Sequence, residues 1–312
     1  MMPAVVIVAL LALIGGGAWL YAPDKPRAEL EARYAGAPSA FFDVAGLRLH
    51  VRDTGPRDAP SVIMLHGLGS SLHTWEPWAQ ALSDRYRVIR YDLPGFGLTG
   101  ADQTGADQTG DYTDARGEAV LVALMDRLGV QKASLIGNSM GGKLAWQFAA
   151  DHPDRVDKLV LISPDGFASP GFGYGKEPKV PAVARVLPYT LPTFLLRMNL
   201  APAYGDPTRL TEDTVRRYRD LMLAPGVRQA LLDRTAQVRL QPPEPMLRRI
   251  QAPTLLVWGE KDALIPFSNA ADYLKVLPHA RLVSFPGLGH VPQEEDAARS
   301  LVPVAAFLTE PR

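Results

Sequence analysis

Short apolar runs and longer amphipathic stretches follow one another along most of the chain. The short runs are bounded by Gly, Pro, Asp and Ser, as is typical of buried strands, and the longer stretches carry apolar residues at helical spacing. Strands are predicted at residues 41–44, 47–51, 61–65, 88–91, 134–136, 158–163, 254–258 and 281–285, and helices at residues 75–82, 113–128, 143–150 and 296–308. The alternation indicates an α/β domain, and the first two strands, joined at Ala45 and Gly46, indicate an antiparallel hairpin.

The alternation of predicted strands and helices stops between residues 164 and 253, where the sequence is helical in pattern and rich in proline. This segment predicts a helical insertion between two parts of one core, residues 39–163 and residues 254–312. The first half of the insertion is strongly apolar. Two interpretations of that half remain open: a small core that packs on the main domain, or a surface that faces a lipid-like substrate.

The chain begins with a nearly continuous apolar run, residues 3–22, that contains no charged residue. About 20 apolar residues are enough to cross a bilayer as a helix, and Trp19 and Tyr21 suit the membrane–water interface. We therefore predict a single-pass transmembrane helix in a membrane anchor at residues 1–23, followed by a linker at residues 24–38. The alternative is a cleaved signal peptide and export, which fits less well because no Lys or Arg precedes the run.

The charges that follow this run do not select a side of the membrane. Lys25, Arg27 and Arg33 favour the cytoplasmic side by the positive-inside rule, but acidic residues lie among them. The sidedness of the predicted anchor therefore stays open.

A serine between glycines marks the end of the fifth predicted strand. Gly137, Ser139 and Gly141 form a Gly-x-Ser-x-Gly pattern, with a strand predicted before it and a helix after it. A sharp strand-to-helix turn exposes the serine hydroxyl, and glycines on either side leave room for that turn. The pattern predicts Ser139 as a nucleophile, and the plain alternative is a serine in an ordinary Gly-rich turn.

Candidates for the base and the acid lie further along the chain, each just after a later strand. Asp262 follows the seventh predicted strand, and His290 lies in a Gly-rich segment after the eighth. In such a site the histidine takes the proton of the serine, and the aspartate orients and stabilises the imidazole. Ser139, His290 and Asp262 are therefore the predicted catalytic residues, with Asp165 after the sixth strand as an alternative acid.

From residue 39 to residue 308 the chain resembles the serine hydrolases of the α/β-hydrolase family, of the esterase or lipase type that includes membrane-anchored monoacylglycerol lipases. The resemblance implies a mostly parallel eight-stranded sheet flanked by helices, with a helical cap over the site. It implies that the backbone N–H groups of Leu68 and Met140 form an oxyanion hole, where one donor contributes roughly 3 to 4 kcal/mol. It also implies that His66 and Asp92 hold turns rather than react.

Composition excludes several other classes of function. The formal net charge is +0, so no nucleic-acid partner is indicated. The chain contains no cysteine, which excludes disulfides and thiol catalysis. It contains neither paired histidines nor a phosphate-binding glycine loop, so neither a metal nor another cofactor is indicated. The repeated pentapeptide at residues 101–110 has nothing to pack and predicts only a tolerant surface loop.

We therefore expect an enzyme that hydrolyses carboxylic esters through an acyl-enzyme, with acylglycerols or other lipid-like esters as substrates and no cofactor. An alternative class on the same fold, the carbon–carbon bond hydrolases of ring-fission products, also resembles residues 137–142. Those enzymes usually carry Trp directly after the catalytic histidine, where this chain has Val291, and this difference favours the esterase prediction. A membrane-anchored binding protein without turnover is the remaining alternative.

Overall fold

A computed structural model of the protein describes residues 20–102, 110–169, 173–176, 180–277 and 279–311. The strands are β1 (Ser39–Val44), β2 (Leu47–Thr54), β3 (Ser61–Leu65), β4 (Arg87–Tyr91), β5 (Ala133–Asn138), β6 (Val156–Ile162), β7 (Thr254–Gly259) and β8 (Ala280–Phe285). They form one sheet in the order β1-β2-β4-β3-β5-β6-β7-β8. The β1–β2 and β2–β4 pairs are antiparallel and all other pairs are parallel, so the predicted eight-stranded, mostly parallel sheet is confirmed.

Helices connect the strands and cover both faces of the sheet. The α-helices are α1 (Arg27–Tyr34), α2 (Glu76–Leu82), α3 (Asp114–Arg127), α4 (Met140–Asp151), α5 (Thr193–Leu200), α6 (Glu212–Met222), α7 (Val227–Gln237), α8 (Glu244–Leu247), α9 (Asn269–Val276), α10 (Pro292–Glu295) and α11 (Ala297–Thr309). Short 3-10 helices lie at Leu72–Trp75, Pro153–Arg155, Ala182–Tyr189, Ala201–Ala203 and Pro207–Arg209. The helices predicted from periodicity correspond to α2, α3, α4 and α11.

The central strands are buried on both faces, as expected for parallel strands between two layers of helices. Val62, Ile63, Met64 and Leu65 of β3 are each 0% exposed. Ile63 and Leu65 lie in one hydrophobic cluster with side chains of α3 and α4, and Val62 and Met64 lie in another with side chains of α2 and α11. The carboxyl ends of the parallel strands are therefore the open edge at which loops can build a site.

The insertion between β6 and β7 contains the 3-10 helix Ala182–Tyr189 and helices α5 to α8. We call this insertion the cap. Several of its apolar side chains form a hydrophobic cluster of their own, which includes Leu191, Leu196, Tyr204, Val215 and Met222. Part of the apolar first half of the predicted cap therefore packs as a small core, whereas other apolar side chains of the same half are exposed.

The N-terminal part of the structure differs from the predicted linker. The predicted anchor lies almost entirely outside the described residues, which begin at Leu20, and among the described residues no helix is long and apolar enough to cross a membrane. Helix α1 occupies the segment that was predicted as a linker. Its Leu30 is 1% exposed and lies in a hydrophobic cluster with Leu98 and Leu221, so this segment is a packed helix. Most of the pentapeptide repeat also lies outside the described residues.

Candidate active site

Ser139 lies in the sharp turn between β5 and α4. Its φ is 54° and its ψ is −119°, and residues other than glycine rarely adopt a positive φ. A Cβ on Gly137 would lie 2.3 Å from the backbone oxygen of Gly141, and a Cβ on Gly141 would lie 2.2 Å from the backbone oxygen of Leu65. Both positions therefore require glycine, and the turn has the strained geometry expected of an exposed nucleophile.

His290 and Asp262 are in direct contact in the loops that follow β8 and β7. The distance from His290 Nδ1 to Asp262 Oδ2 is 2.8 Å, and both residues are buried. Asp262 Oδ1 also accepts hydrogen bonds from the backbone N–H groups of Leu264 and Ile265. These contacts fix the carboxylate, and a carboxylate at Nδ1 leaves Nε2 of the imidazole as the nitrogen that can take a proton.

Ser139 and His290 line one cavity of about 380 Å³ between the carboxyl ends of the strands and the cap. Leu68, Tyr218 and Val291 contribute to the same wall. The structure thus brings the three predicted residues to one place, since Ser139 and His290 line the cavity and Asp262 holds His290. An arrangement of nucleophile, base and buried acid suits attack on a carbonyl carbon, and the catalytic roles of the three residues stay a prediction.

The loop predicted to contribute to the oxyanion hole lies beside Ser139. A Cβ on Gly67 would lie 3.3 Å from the Cβ of Ser139, which is a tight contact, so the loop passes close to the nucleophile turn. Leu68 and Met140 line a cavity together with Ser139. Their backbone N–H groups remain the predicted oxyanion donors.

His66 and Asp92 hold the turns around this loop. His66 is fully buried, and its Nε2 accepts a hydrogen bond from the backbone N–H of Leu93 at 2.9 Å. Burial lowers the pKa of His66, which keeps the imidazole neutral in this role. Asp92 accepts hydrogen bonds from His50 Nδ1 and from two backbone N–H groups. Although burial raises the pKa of Asp92, its contact with the His50 imidazole holds that pKa below the ordinary value.

Asn138 connects the nucleophile turn to the histidine loop, and the sequence analysis did not identify it. Its side-chain Nδ2 donates hydrogen bonds to the backbone oxygens of Ile162 and His290, at 3.1 Å and 3.0 Å. Its Oδ1 accepts a hydrogen bond from Gln293 Nε2 at 3.2 Å. The only sequence signal was a polar amide directly before Ser139 at the end of a buried strand.

Arg234 of α7 brings a positive charge to the site, and it was also not predicted. It lines a cavity of about 230 Å³ together with Ser139 and Met140, and its Nη1 donates a hydrogen bond to the backbone oxygen of Tyr112 at 3.0 Å. Burial lowers the pKa of Arg234, but an arginine side chain stays charged in proteins. The cavity therefore contains a cation that can bind an anionic group of a ligand, and it also contains the carboxyl group of Asp165.

Asp165, the alternative acid, lies in these cavities rather than against the imidazole. It lines both cavities with Ser139, and its backbone N–H donates to the backbone oxygen of Ser139 at 3.0 Å. Burial raises the pKa of its carboxyl group. Because the Nδ1 of His290 contacts Asp262, the geometry favours Asp262 as the acid of the site.

Comparisons with known proteins agree with this fold. The family model described as alpha/beta hydrolase fold matches residues 60–297. A 2-hydroxy-6-oxononadienedioate/2-hydroxy-6-oxononatrienedioate hydrolase of Comamonas testosteroni is 30% identical over 262 residues, which are 81% of this chain and 88% of the relative. A 2-hydroxy-6-oxo-6-phenylhexa-2,4-dienoate hydrolase of Burkholderia cepacia is 30% identical over the same shares of the two chains. The crystal structure of a membrane phospholipase A, a novel bacterial virulence factor, is 26% identical with a TM-score of 0.73, over 99% of this chain and 98% of that chain.

The expectation that the protein hydrolyses carboxylic esters is wrong in the light of these relatives. It rested on Val291, which is a local feature, whereas the similarity to dienoate hydrolases extends over 81% of the chain. The more specific resemblance to monoacylglycerol lipases is not confirmed. With the family model matched over residues 60–297, the chain belongs to the α/β-hydrolase fold family.

Proposed function

We propose that the protein hydrolyses a carbon–carbon bond of a 2-hydroxy-6-oxo-dienoate, the class of compound specified by the names of its relatives. Such a molecule carries a carboxylate at C1, a hydroxyl group on a carbon–carbon double bond at C2, and a ketone at C6. It contains no ester or amide bond. Water therefore cleaves it next to the ketone, between C5 and C6, where the carbonyl carbon accepts a nucleophile.

The reaction requires that C5 leave with the electrons of the broken bond. A proton first moves to C5 while the C2 hydroxyl becomes a ketone. The Ser139 Oγ then attacks C6, and His290 takes the serine proton while Asp262 stabilises the imidazolium. When the C5–C6 bond breaks, its electron pair passes through C4 and C3 to the C2 oxygen, which takes the proton from the His290 imidazolium and returns the imidazole to its neutral form. Water, activated by His290, releases the acid from Ser139, and the other product is a 2-hydroxy-2,4-dienoate.

One structural observation carries the proposal: Arg234 and Ser139 line the same cavity. The substrate is an anion, and its C1 carboxylate lies several bonds from the ketone that reacts. A guanidinium binds a carboxylate through two parallel hydrogen bonds and so fixes both the position and the direction of the ligand. Arg234 is therefore the group that we expect to hold the carboxylate while the ketone reaches Ser139.

Purified protein mixed with 2-hydroxy-6-oxo-6-phenylhexa-2,4-dienoate tests this function. The conjugated substrate absorbs visible light and the products do not, so loss of absorbance measures cleavage directly. We expect turnover by the natural protein and a loss of roughly 10⁴-fold or more in kcat for Ser139→Ala. Turnover of simple esters without any cleavage of the dienoate would overturn the proposal.

A pair of arginine variants tests the carboxylate site. Arg234→Gln removes the charge in the cavity, and we expect the KM for the dienoate to rise by roughly 10- to 100-fold. Arg248→Gln makes the same change at an exposed position after α8 and serves as the control. Equal KM values for the two variants would exclude Arg234 as the carboxylate-binding residue.

We propose further that residues 1–23 hold the enzyme at a membrane as an uncleaved anchor. The apolar run at residues 3–22 supports this, as does the similarity over 99% of the chain to the membrane phospholipase A described above. We expect the full chain to stay in carbonate-washed membranes with an intact mass that starts at Met1. A soluble protein that starts near Pro23 would instead indicate a cleaved signal peptide, and protease protection in vesicles made from cells reports the sidedness.

A further inference from the structure

One surface of the cap exposes an unusual number of large apolar side chains. They lie on the 3-10 helix Ala182–Tyr189 and on α5, and we call them the cap patch. Its members and their exposed fractions are Val183 (77%), Val186 (52%), Tyr189 (64%), Phe194 (56%), Leu195 (43%) and Met198 (64%). Exposed large apolar side chains that are concentrated on two neighbouring segments of a domain favour a contact with a membrane or a partner.

The N-terminal segment of the structure is bound to the same part of the cap. The Thr190 hydroxyl donates a hydrogen bond to the backbone oxygen of Leu20 at 2.6 Å, and the backbone N–H of Ala22 donates to the oxygen of Tyr189 at 2.9 Å. Leu20 and Tyr21 are themselves 40% and 60% exposed and extend the apolar surface. The apolar run at residues 3–19 therefore joins the described chain at the border of the cap patch.

Buried polar contacts keep this junction in place. The guanidinium of Arg228, which is 1% exposed, donates to the backbone oxygen of Ala22 and pairs with Asp24 at 2.7 Å. Lys25 pairs with the buried carboxylate of Asp220 at 3.1 Å. Because these bonds fix residues 22–25 on the cap, whatever the apolar run enters must lie close to the cap patch.

Two arginines lie among the patch residues in the sequence, and one of them, Arg197, pairs with Glu212 at the start of α6. Residues 180–205 contain Arg185 and Arg197 but no Asp or Glu. Arg185 is exposed on the same 3-10 helix as Val183 and Val186. Basic residues beside exposed apolar side chains suit the anionic headgroups and the upper acyl region of a bilayer.

We infer that the cap patch lies in the headgroup region of a lipid bilayer and that the cap, rather than the sheet, faces the membrane. This inference rests on the proposed membrane anchor at residues 1–23. An apolar helix face with flanking basic residues enters a bilayer to a depth of about 5 to 10 Å. Asn199 and Leu200, which line the cavity of about 380 Å³ and directly follow Met198, then lie near the lipid surface.

Single cysteines test the inference cleanly because the natural chain has none. Phe194→Cys and Met198→Cys place a fluorophore in the patch, and Val302→Cys places it on α11 at a position that is 67% exposed. The full-length variants are inserted into vesicles of phosphatidylcholine and phosphatidylglycerol that carry nitroxide-labelled lipids. We expect blue-shifted emission at 194 and 198 and quenching at least about threefold stronger than at 302.

The other outcomes separate the inference from the proposals on which it rests. The protein could remain bound to vesicles while the fluorophores at 194 and 198 show the same emission and quenching as the one at 302. That result would overturn the contact between the cap patch and the bilayer but would leave the proposed anchor in place. A blue shift that grows with protein concentration and is not accompanied by quenching from the lipids would show that a second copy of the chain covers the cap patch. That result would also overturn the contact between the cap patch and the bilayer. Failure to bind vesicles at all would overturn both the anchor and the patch contact, and cleavage of the dienoate is measured separately.

Discussion

The side-chain amide of Asn138 donates a hydrogen bond to the backbone oxygen of His290, with 3.0 Å between Nδ2 and that oxygen. The residue directly before the proposed nucleophile therefore holds the main chain of the proposed base. A second donor bond from the same amide reaches Ile162 at the end of β6. Three loops at the carboxyl edge of the sheet are thus fixed relative to one another by a single buried side chain.

Asn138→Ala removes this connection, and we expect it to lower kcat more than it raises KM. The buried oxygen of His290 loses the Asn138 donor, whereas the oxygen of Ile162 keeps its bond from the backbone N–H of Ser139, and we expect a cost of about 1 to 3 kcal/mol in the free energy of unfolding. Steady-state kinetics and urea unfolding measure the two effects. A folded Asn138→Ala protein with an unchanged kcat would contradict the positioning role.

Asp262→Asn and Asp165→Asn together decide which carboxylate is the acid of the site. Asn at position 262 keeps the shape of the side chain but can no longer stabilise the imidazolium, so we expect kcat to fall by roughly 10⁴-fold. Asn at position 165 leaves the His290–Asp262 contact intact, so a much smaller change in kcat is expected. The reverse order of the two effects would assign the role to Asp165.

Gly141→Ala tests whether the turn at Ser139 depends on close backbone approach. The added Cβ would lie 2.2 Å from the backbone oxygen of Leu65, and we expect the free energy of unfolding to fall by about 2 kcal/mol or more. Gly36→Ala is the matched control because nothing lies within 4 Å of its added Cβ. Equal stability of the two variants in urea would show that the turn can relax.

His73 makes the stability of the protein depend on pH. Burial lowers its pKa from the ordinary 6.5 to about 4, and the neutral imidazole donates from Nε2 to the backbone oxygen of Tyr34. Between these two pKa values the unfolded chain binds a proton that the folded chain does not. Stability is therefore lost as the pH falls from about 6.5 to about 4, by up to about 3 kcal/mol.

Unfolding by urea at several pH values measures this slope, which is the change of the free energy of unfolding with pH. His73→Gln should remove a large part of it, and His279→Gln, a change at an exposed histidine, should leave it in place. An unchanged slope in His73→Gln would assign the pH dependence to other groups.

Val291→Trp tests whether the residue after His290 sets the size of substrate. Val291 is 7% exposed and lines the cavity of about 380 Å³, so a tryptophan there reduces the space beside the ketone. We expect kcat/KM for the 6-phenyl dienoate to fall by about tenfold or more relative to a 6-methyl analogue. Val302→Trp, on the exposed side of α11, should not change that ratio.

The sheet and the nucleophile turn could be predicted because they depend on local pattern. The strand predicted at residues 61–65 coincides with β3, and the other strands lie close to their predicted positions. The glycines at 137 and 141 signalled a steric requirement that the backbone itself imposes. Such features need no knowledge of distant parts of the chain.

The features that were missed depend on contacts across long stretches of sequence. Helix α1 packs through Leu30 against residues of the cap and against Leu98 in the loop after β4. The sequence of α1 itself does not indicate these partners. Arg234 reaches the cavity only because α7 crosses over Ser139. The reaction was predicted wrongly because a single residue such as Val291 does not determine which bond a hydrolase breaks.

The segment that contains α1 also limits how the cap can move. It is tied to the cap through the Arg228–Asp24 and Arg33–Asp220 pairs and to the core through the bond from Arg27 to the backbone oxygen of Leu98. The cap is thus connected to the core in three ways: by the chain that enters it, by the chain that leaves it, and by the non-covalent contacts of the α1 segment. A hinge motion that moved the whole cap away from the core would have to break these contacts of the α1 segment. Movement of the whole cap therefore requires the loss of these contacts, whereas a local rearrangement of cap loops does not.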